Sequence, residues 1–246
     1  MVNKHGAAGQ RCSEGHSKST YGTGCFLLLH TGTQRVASTS GLLSTIAYRL
    51  GNDQPVQFAL EGSIAIAGMA VAWLRDQLGL IASAAESESV AAAVDDTGAR
   101  SNPAGAVARG IPGTASLQIS SLQRCFSRTA ALCVNRLRRS RAAGGKGTAG
   151  RCAGGVYFVP AFSGLLAPHW RDDARGTLLG ISQYTNRHHI VRAVLEGIAF
   201  QVRDVLAAAA SDAGLPVDEL RVDGGACSNG LLMQLQVRFT PRRGPS

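Results

Sequence analysis

Hydrophobic residues recur at helical spacing along the longest amphipathic stretch of the chain, residues 187–213. An i, i+4 stripe begins at Ile190 and Val194 and continues along the segment, which is the pattern of a helix with one buried face. Gly214 and Pro216 follow, and both residue types are typical of helix ends. The pattern predicts one long helix over residues 187–213.

Short apolar runs bounded by glycine and polar residues predict the strands. These strands are Cys25–Leu29, Leu42–Leu50, Val56–Leu60, Val156–Phe162 and Thr177–Ser182. The residues up to about Ser19 are polar and rich in glycine, so a loop is predicted there.

A second helical pattern follows Ser63, which is a good N-cap residue. Apolar residues recur at helical spacing from Ile66 to Leu78. Gly68 lies inside this pattern and costs a helix about 1 kcal/mol relative to alanine. We therefore expect another backbone or a ligand to approach Gly68, with packing as the default reason. Residues 82–96 predict a loop and a short acidic helix.

Two glycine-rich turns are candidates for binding chemistry. The stretch from Leu220 to Gln234 reads LRVDGGACSNGLLMQ, which predicts a strand, a tight turn and a helix. Its paired glycines let a ligand approach the backbone, and the helix N-terminus offers N–H groups to an anion or a polar ring. The turn at Gly22–Gly24 offers N–H groups and a threonine hydroxyl to phosphate oxygens. Turn geometry alone explains the paired glycines of the first stretch equally well, and for the turn at Gly22–Gly24 a plain hairpin is the favoured local interpretation.

The order of these elements predicts an α/β fold that mixes hairpins and crossovers. We expect the glycine positions 22–24, 68 and 224–225 to line one nucleotide cleft.

The chain has 246 residues, 45% of them hydrophobic, which is enough for a substantial core. No apolar run reaches the length of a membrane span, and the N-terminus lacks a secretory signal, so the cytoplasm is the default location. The six cysteines show no CxxC or zinc spacing, so no metal site is predicted.

The net charge of +9 is concentrated in residues 99–153. This segment carries nine arginines, one lysine and no acidic residue, whereas the rest of the chain has 15 basic and 16 acidic side chains. Its composition predicts disorder, with a short helix near residues 117–137. Nucleic-acid binding is the least favoured function for it, because Phe126 is its only aromatic residue. The segment is either a basic insertion or translated non-coding sequence, and the abrupt change of composition at both edges favours the latter.

Several blocks of the sequence resemble the glycerol kinase branch of the FGGY carbohydrate kinase family. The matching blocks are STYGTGCFLLLHTG, ALEGSIAIAG, WLRDQLGL, GGVYFVPAFSGLLAPHWRDDARG and LRVDGGACSNGLLMQLQ. The stretch GTLLGISQYTNRHHIVRAVLE also fits a signature of the wider family. The resemblance covers residues 9–98 and 154–236 in the same order and is nearly free of gaps.

The resemblance implies the C-terminal domain of a kinase with the actin-like, ribonuclease-H-like ATPase fold. In such kinases ATP, with Mg²⁺, lies between two domains and phosphorylates glycerol to glycerol 3-phosphate. Thr23 matches a residue that contacts the terminal phosphates, and Gly68 matches a helix glycine beside the adenosine. Gly225 and Asn229 match residues of the loop on the adenine side. Phe26 matches an apolar wall against the glycerol carbons.

The sequence also departs from the family pattern. The catalytic base of the family is an aspartate just upstream of the block that begins near Gly9, but no aspartate precedes Asp53 here. A positioned general base contributes roughly 10²–10⁴-fold to rate. The N-terminal domain, with its metal carboxylate, has no counterpart in the sequence. Ala72 occupies a position where many relatives have glutamine, which removes one polar contact to the nucleotide.

We therefore predict no catalytic residue in this chain and interpret it as an incomplete kinase. A non-catalytic nucleotide-binding or interaction module is the alternative. The predicted partners are ATP and glycerol, together with either a second copy of the chain or a separate N-terminal domain. The predicted segments are an unstructured start (1–8), the kinase domain (9–98 and 154–236), the basic insertion (99–153) and a loose tail (237–246).

Overall fold

The computed structural model describes residues 13–94, 155–217 and 219–240. The predictions for residues 1–8, for 99–153 and its short helix, and for the tail after residue 240 lie outside this part of the chain. The strands are β1 (His16–Tyr21), β2 (Cys25–Gly32), β3 (Leu43–Tyr48), β4 (Gln57–Ile64), β5 (Tyr157–Val159), β6 (Thr177–Leu179) and β7 (Glu219–Asp223). The helices are α1 (Gly68–Asp76), α2 (Glu86–Ala92), α3 (Arg187–Ala213) and α4 (Gly230–Phe239), with a 3₁₀ turn at Gly225–Ser228.

Five strands form the main sheet in the order β3-β4-β2-β1-β7. The first four are joined in antiparallel fashion, whereas β7 pairs with β1 in parallel. Strands β5 and β6 form a separate antiparallel pair. The predicted α/β fold with hairpins and crossovers is confirmed.

Helix α3 has the predicted bounds. The Asn186 side chain accepts hydrogen bonds from the backbone N–H groups of His188 and His189, which caps the first turn. Gly214 ends the helix in the left-handed conformation, with φ of 64°. The helix packs against β2, β4 and β5, and Leu195 on its apolar face is fully buried. Within the described residues, no helix is long and apolar enough to cross a membrane.

Strand β1 corrects the prediction of a loop before Ser19. Ser17 and Ser19 are 3% and 0% exposed and point to the same side of the sheet as the buried Tyr21. The Ser17 hydroxyl donates to the carbonyl oxygen of Glu219 at 2.7 Å. Small hydroxyl side chains therefore occupy the core positions of β1, and the hydrophobic alternation that marks a strand is missing.

The start of α1 is also corrected. Ser63, the predicted N-cap, lies in β4 opposite Phe26 of β2. The helix begins at Gly68 with Ala67 at the N-cap, which makes no side-chain capping bond. Pairing with β2 extends β4 through Ile64, and this long-range pairing overrides the local capping signal.

Three further boundaries differ from the predictions. Strand β5 ends before Pro160, which has no N–H to donate to a ladder. Strand β6 ends before Gly180, whose φ is 77°. Helix α4 includes Val237–Phe239, so the loose tail predicted for these three residues is wrong. The Phe239 ring stacks on Phe200 of α3 at a centroid distance of 4.3 Å, which holds the last turn of α4 in place.

Two histidines are expected to make the stability of the fold depend on pH. Burial lowers the pKa of His30, and burial together with the charge of His188 lowers the pKa of His189. The pKa of histidine in the unfolded chain is about 6.5. The unfolded state therefore binds more protons than the folded state as the pH falls below this value. This contribution to stability is complete above about pH 6.5 and is lost as the pH falls through the lower folded-state pKa values. We expect a lower urea midpoint at about pH 5.5 than at about pH 7.5.

The substitution His30→Phe supplies the control for this pH dependence. Phenylalanine can keep the stacking of His30 on Tyr48, where the ring centroids are 5.6 Å apart, but it cannot titrate. The difference between the two urea midpoints should therefore shrink in the variant. An unchanged difference would show that His30 does not contribute.

Candidate functional site

The parallel strands β1 and β7 end side by side at one edge of the sheet. Thr20 pairs with Asp223 at this edge, and each strand is followed by a glycine-rich turn. In open α/β sheets, ligands bind outside the carboxyl ends of parallel strands. Gly224 has φ of 96°, and a Cβ placed on it would lie 2.3 Å from the Tyr21 carbonyl oxygen. The structure therefore brings the two predicted turns into contact.

The N-terminus of α1 rests on the Gly-Thr-Gly turn. The backbone N–H groups of Ala67 and Met69 donate to the Thr23 carbonyl oxygen at 2.9 and 3.0 Å, and the Gly68 N–H donates to the Gly22 carbonyl oxygen at 3.0 Å. These bonds satisfy donors that a helix N-terminus otherwise leaves unpaired. The turn, rather than a free ligand site, thus occupies the first N–H groups of α1.

The glycines of the site have two different environments. A Cβ on Gly68 would lie 2.6 Å from the Gly22 carbonyl oxygen, and a Cβ on Gly24 would lie 2.2 Å from the Ile64 carbonyl oxygen. Backbone packing explains these two glycines, which confirms the default interpretation of Gly68. By contrast, a Cβ on Gly225 would have nothing within 4 Å. Gly225 borders open space and leaves room for a ligand.

Asn229 joins the loop after β7 to two helices. Its side-chain oxygen accepts from the Leu232 N–H at 2.9 Å and caps α4, while its Nδ2 donates to the Ser87 hydroxyl of α2 at 3.0 Å. The carboxylate of Glu88 lies 2.8 Å from the position of a Cβ on Gly230. Sequence reasoning missed the contribution of α2, because no local signal links residues so far apart in the chain.

Thr23 and Phe26 are both accessible at this edge. Thr23 is exposed at the tip of the turn between β1 and β2. Phe26 is 58% exposed, whereas its neighbours Cys25 and Leu27 are fully buried beneath the helices. The Phe26 ring therefore lies on the face of the sheet opposite the helices, beside the Gly-Thr-Gly turn.

An ion pair also lies at this edge and was missed from the sequence. Lys18 Nζ is 2.8 Å from Asp223 Oδ2. Partial burial raises the pKa of Asp223, but the bonds from Lys18 and Thr20 outweigh it and leave the pKa below its usual value. The sequence predicted a loop where β1 lies. The pairing of β1 with β7, and the Lys18–Asp223 ion pair that depends on it, could therefore not be predicted.

The described residues were also compared with the requirements of metal and thiol chemistry. Among the described residues, no group of three or more His, Cys, Asp or Glu side chains is arranged to hold a metal ion. Cys25 and Cys227 are free thiols. Burial, reinforced by the charge of Cys227, raises the pKa of Cys25 to about 12, which disfavours the reactive thiolate.

Comparison with known proteins agrees with this architecture. Residues 18–238 match the C-terminal domain of the FGGY family of carbohydrate kinases, and the chain belongs to this family. Within the family it is similar to glycerol kinases. It is 44% identical over 235 residues to the glycerol kinase of Methylorubrum extorquens (strain PA1), covering 95% of this chain and 36% of that protein. It is also 44% identical over 236 residues to the glycerol kinase of Arabidopsis thaliana, covering 93% of this chain and 34% of that protein.

A solved structure supports the same assignment. The crystal structure of Plasmodium falciparum glycerol kinase with ADP matches with a TM-score of 0.66 and 35% sequence identity, covering 91% of this chain and 33% of that protein. The actin-like ATPase fold predicted from the sequence is confirmed. The chain spans about a third of the length of the relatives that it matches.

Proposed function

We propose that this chain is the nucleotide-binding C-terminal domain of an ATP-dependent glycerol kinase. The reaction would transfer the γ-phosphoryl group of ATP to a terminal hydroxyl of glycerol. The observation that carries the proposal is the convergence of the Gly-Thr-Gly turn, the N-terminus of α1 and the open position at Gly225 on one sheet edge. The similarity to a glycerol kinase solved with ADP gives the ligand class.

The proposed roles follow from exposure and chemistry. The Thr23 hydroxyl donates to the terminal phosphates from the tip of its turn. Gly225 lets the adenine side of the nucleotide approach the backbone, with Asn229 holding this loop in place. Gly68 places the first turn of α1 beside the adenosine. The exposed Phe26 ring contacts the carbon skeleton of glycerol.

The described residues fit the nucleotide better than they fit Mg²⁺. Magnesium in kinases is bound by one or two carboxylates together with substrate phosphates. Asp223, a carboxylate at the centre of this edge, is already paired with Lys18. A magnesium ion at this edge would take oxygen ligands from the substrate phosphates. Its chemistry would be to neutralise charge on the transferred phosphoryl group.

Turnover by the 246 residues alone is expected to be very low. Phosphoryl transfer depends on positioning and charge neutralisation from both sides of the nucleotide, and the aspartate base of the family has no match in this sequence. Nucleotide binding without turnover is the expected result of an ATP-plus-glycerol assay. Turnover near that of a complete kinase would contradict the proposed division of roles.

Steric blocking at Gly225 tests the proposed binding site. The substitution Gly225→Val places a side chain in open space, so the free energy of unfolding should change by no more than about 0.5 kcal/mol. The dissociation constant for ADP should rise at least about tenfold, because the branched side chain occupies the ligand space; this factor corresponds to about 1.4 kcal/mol. Isothermal titration calorimetry measures the dissociation constant for ADP of both the wild type and the variant.

A matched pair of threonine substitutions tests the phosphate contact. Thr23→Val removes the hydroxyl at nearly constant shape and should weaken ATP binding, whereas Thr23→Ser should retain most of it. Thr33→Val is the control, because Thr33 is exposed at the opposite end of β2. Unchanged affinity in both Gly225→Val and Thr23→Val would overturn the proposed site.

A further inference from the structure

The glycine at position 230 is explained by a carboxylate from another helix. Gly230 is the first residue of α4, and its φ lies outside the left-handed region. The backbone at this position therefore suits most residue types and does not itself require glycine. A Cβ on Gly230, however, would lie 2.8 Å from Glu88 Oε1 of α2. The missing side chain of Gly230 thus makes room for the carboxylate of Glu88.

Helix α2 is tied to both of its neighbours around Glu88. The buried Ser87 hydroxyl accepts a hydrogen bond from Asn229 Nδ2 at 3.0 Å, and the same Asn229 side chain caps α4. At the other end of α2, His188 Nδ1 of α3 lies 2.9 Å from the Val90 carbonyl oxygen. These contacts fix the position of α2 against the start of α4. The half-buried Glu88 side chain is therefore held beside the loop that follows β7.

The charge of Glu88 decides which end of a nucleotide suits this loop. A helix N-terminus usually attracts phosphate, but here a carboxylate already lies beside the first residue of α4, where the helix dipole favours it. A phosphate group would be repelled by this carboxylate, so the phosphates are left to the Gly-Thr-Gly turn. An ionised carboxylate accepts hydrogen bonds and donates none. It therefore suits a hydroxyl group of the ligand.

The open position at Gly225 lies close to Glu88 along the loop. Only the 3₁₀ turn and its cap residue, Asn229, separate Gly225 from Gly230. Because such a turn rises about 2 Å per residue, the two glycines are at most about 10 Å apart along it. We infer that Glu88 accepts a hydrogen bond from the ribose 2′-hydroxyl of a nucleotide bound at Gly225 and makes the site selective for ribonucleotides. An acidic side chain binds the ribose 2′-hydroxyl in the same manner in dinucleotide-binding folds.

This inference rests on the proposed nucleotide site, and a comparison of ADP with 2′-deoxy-ADP tests the two separately. Isothermal titration calorimetry of the whole chain should give a dissociation constant about tenfold higher for 2′-deoxy-ADP than for ADP, because a hydrogen bond to a charged group is lost. In Glu88→Ala the two dissociation constants should become nearly equal, since only ADP loses a hydrogen bond. A purely structural role of Glu88 at the start of α4 would instead weaken the binding of both nucleotides by the same factor.

Glu86→Gln is the matched control on the same helix. The Glu86 carboxylate accepts from the Ala82 N–H ahead of α2, so this variant removes a charge but keeps the proposed contact and should discriminate like the wild type. Equal affinity of the wild type for ADP and 2′-deoxy-ADP would overturn the inference and leave the proposed nucleotide site standing. Undiminished discrimination in Glu88→Ala would also overturn it. A folded chain that binds neither nucleotide would overturn the inference together with the proposed function.

Discussion

Replacing Arg192 with methionine is expected to lower the free energy of unfolding by about 3–5 kcal/mol. Arg192 and Glu196 are one turn apart on α3 and only 5% and 2% exposed. Arg192 Nε lies 2.8 Å from Glu196 Oε1. The substitution removes the guanidinium that pairs with the buried carboxylate, and removing one partner of a buried ion pair is strongly destabilising. Urea unfolding followed by circular dichroism measures the loss.

The double variant Arg192→Met with Glu196→Leu is the control for this prediction. It removes both charges and fills the same space with apolar side chains, so most of the lost stability should return. Methionine and leucine are both strong helix formers, so α3 itself should not be weakened. A double variant as unstable as the single one would contradict the electrostatic explanation.

The substitution Gly24→Ala is expected to destabilise the fold by about 2–3 kcal/mol. Its Cβ would lie 2.2 Å from the Ile64 carbonyl oxygen and 2.9 Å from the Ala65 carbonyl oxygen. Both atoms belong to the backbone, so no side chain can move aside to make room. The turn must shift away from the segment that connects β4 to α1, which disturbs the bonds that hold the start of α1. Thermal unfolding measures the effect.

Gly225→Ala is the matched control for Gly24→Ala. Both glycines flank the same site, but the added methyl group at Gly225 meets open space. Its effect on the free energy of unfolding should stay within about 0.5 kcal/mol. Similar losses in the two variants would contradict the distinction between a packed and an open glycine.

Local signals explain which elements could be predicted from the sequence. The bounds of α3 were correct because an apolar stripe, Gly214 and Pro216 all lie within one continuous segment. Strand β1 was missed because Ser17 and Ser19 fill its core positions, and their burial depends on β2 and β7. The helix start predicted at Ser63 was wrong because β4 continues to pair with β2 beyond that residue.

The sequence was enough to locate the glycines of the candidate site. It was not enough to give the structural reason for a glycine at each position. Gly24 and Gly68 are explained by contacts with backbone distant in sequence, whereas Gly225 faces open space. No local pattern distinguishes these cases, because the missing side chain looks the same in all three. The two hydrogen bonds of the Asn229 side chain, one to the Leu232 N–H of α4 and one to the Ser87 hydroxyl, likewise depend on the folded structure.

We propose that the edge formed by the β1 and β7 turns binds a nucleotide. Titration of the isotopically labelled 246-residue chain with ADP, followed by backbone amide NMR, tests this claim most directly. We predict saturable shifts of the Thr23 and Gly225 amides with one common dissociation constant, and no such shift at Thr33. The absence of saturable shifts at both Thr23 and Gly225, under conditions where the chain is folded, would contradict the claim.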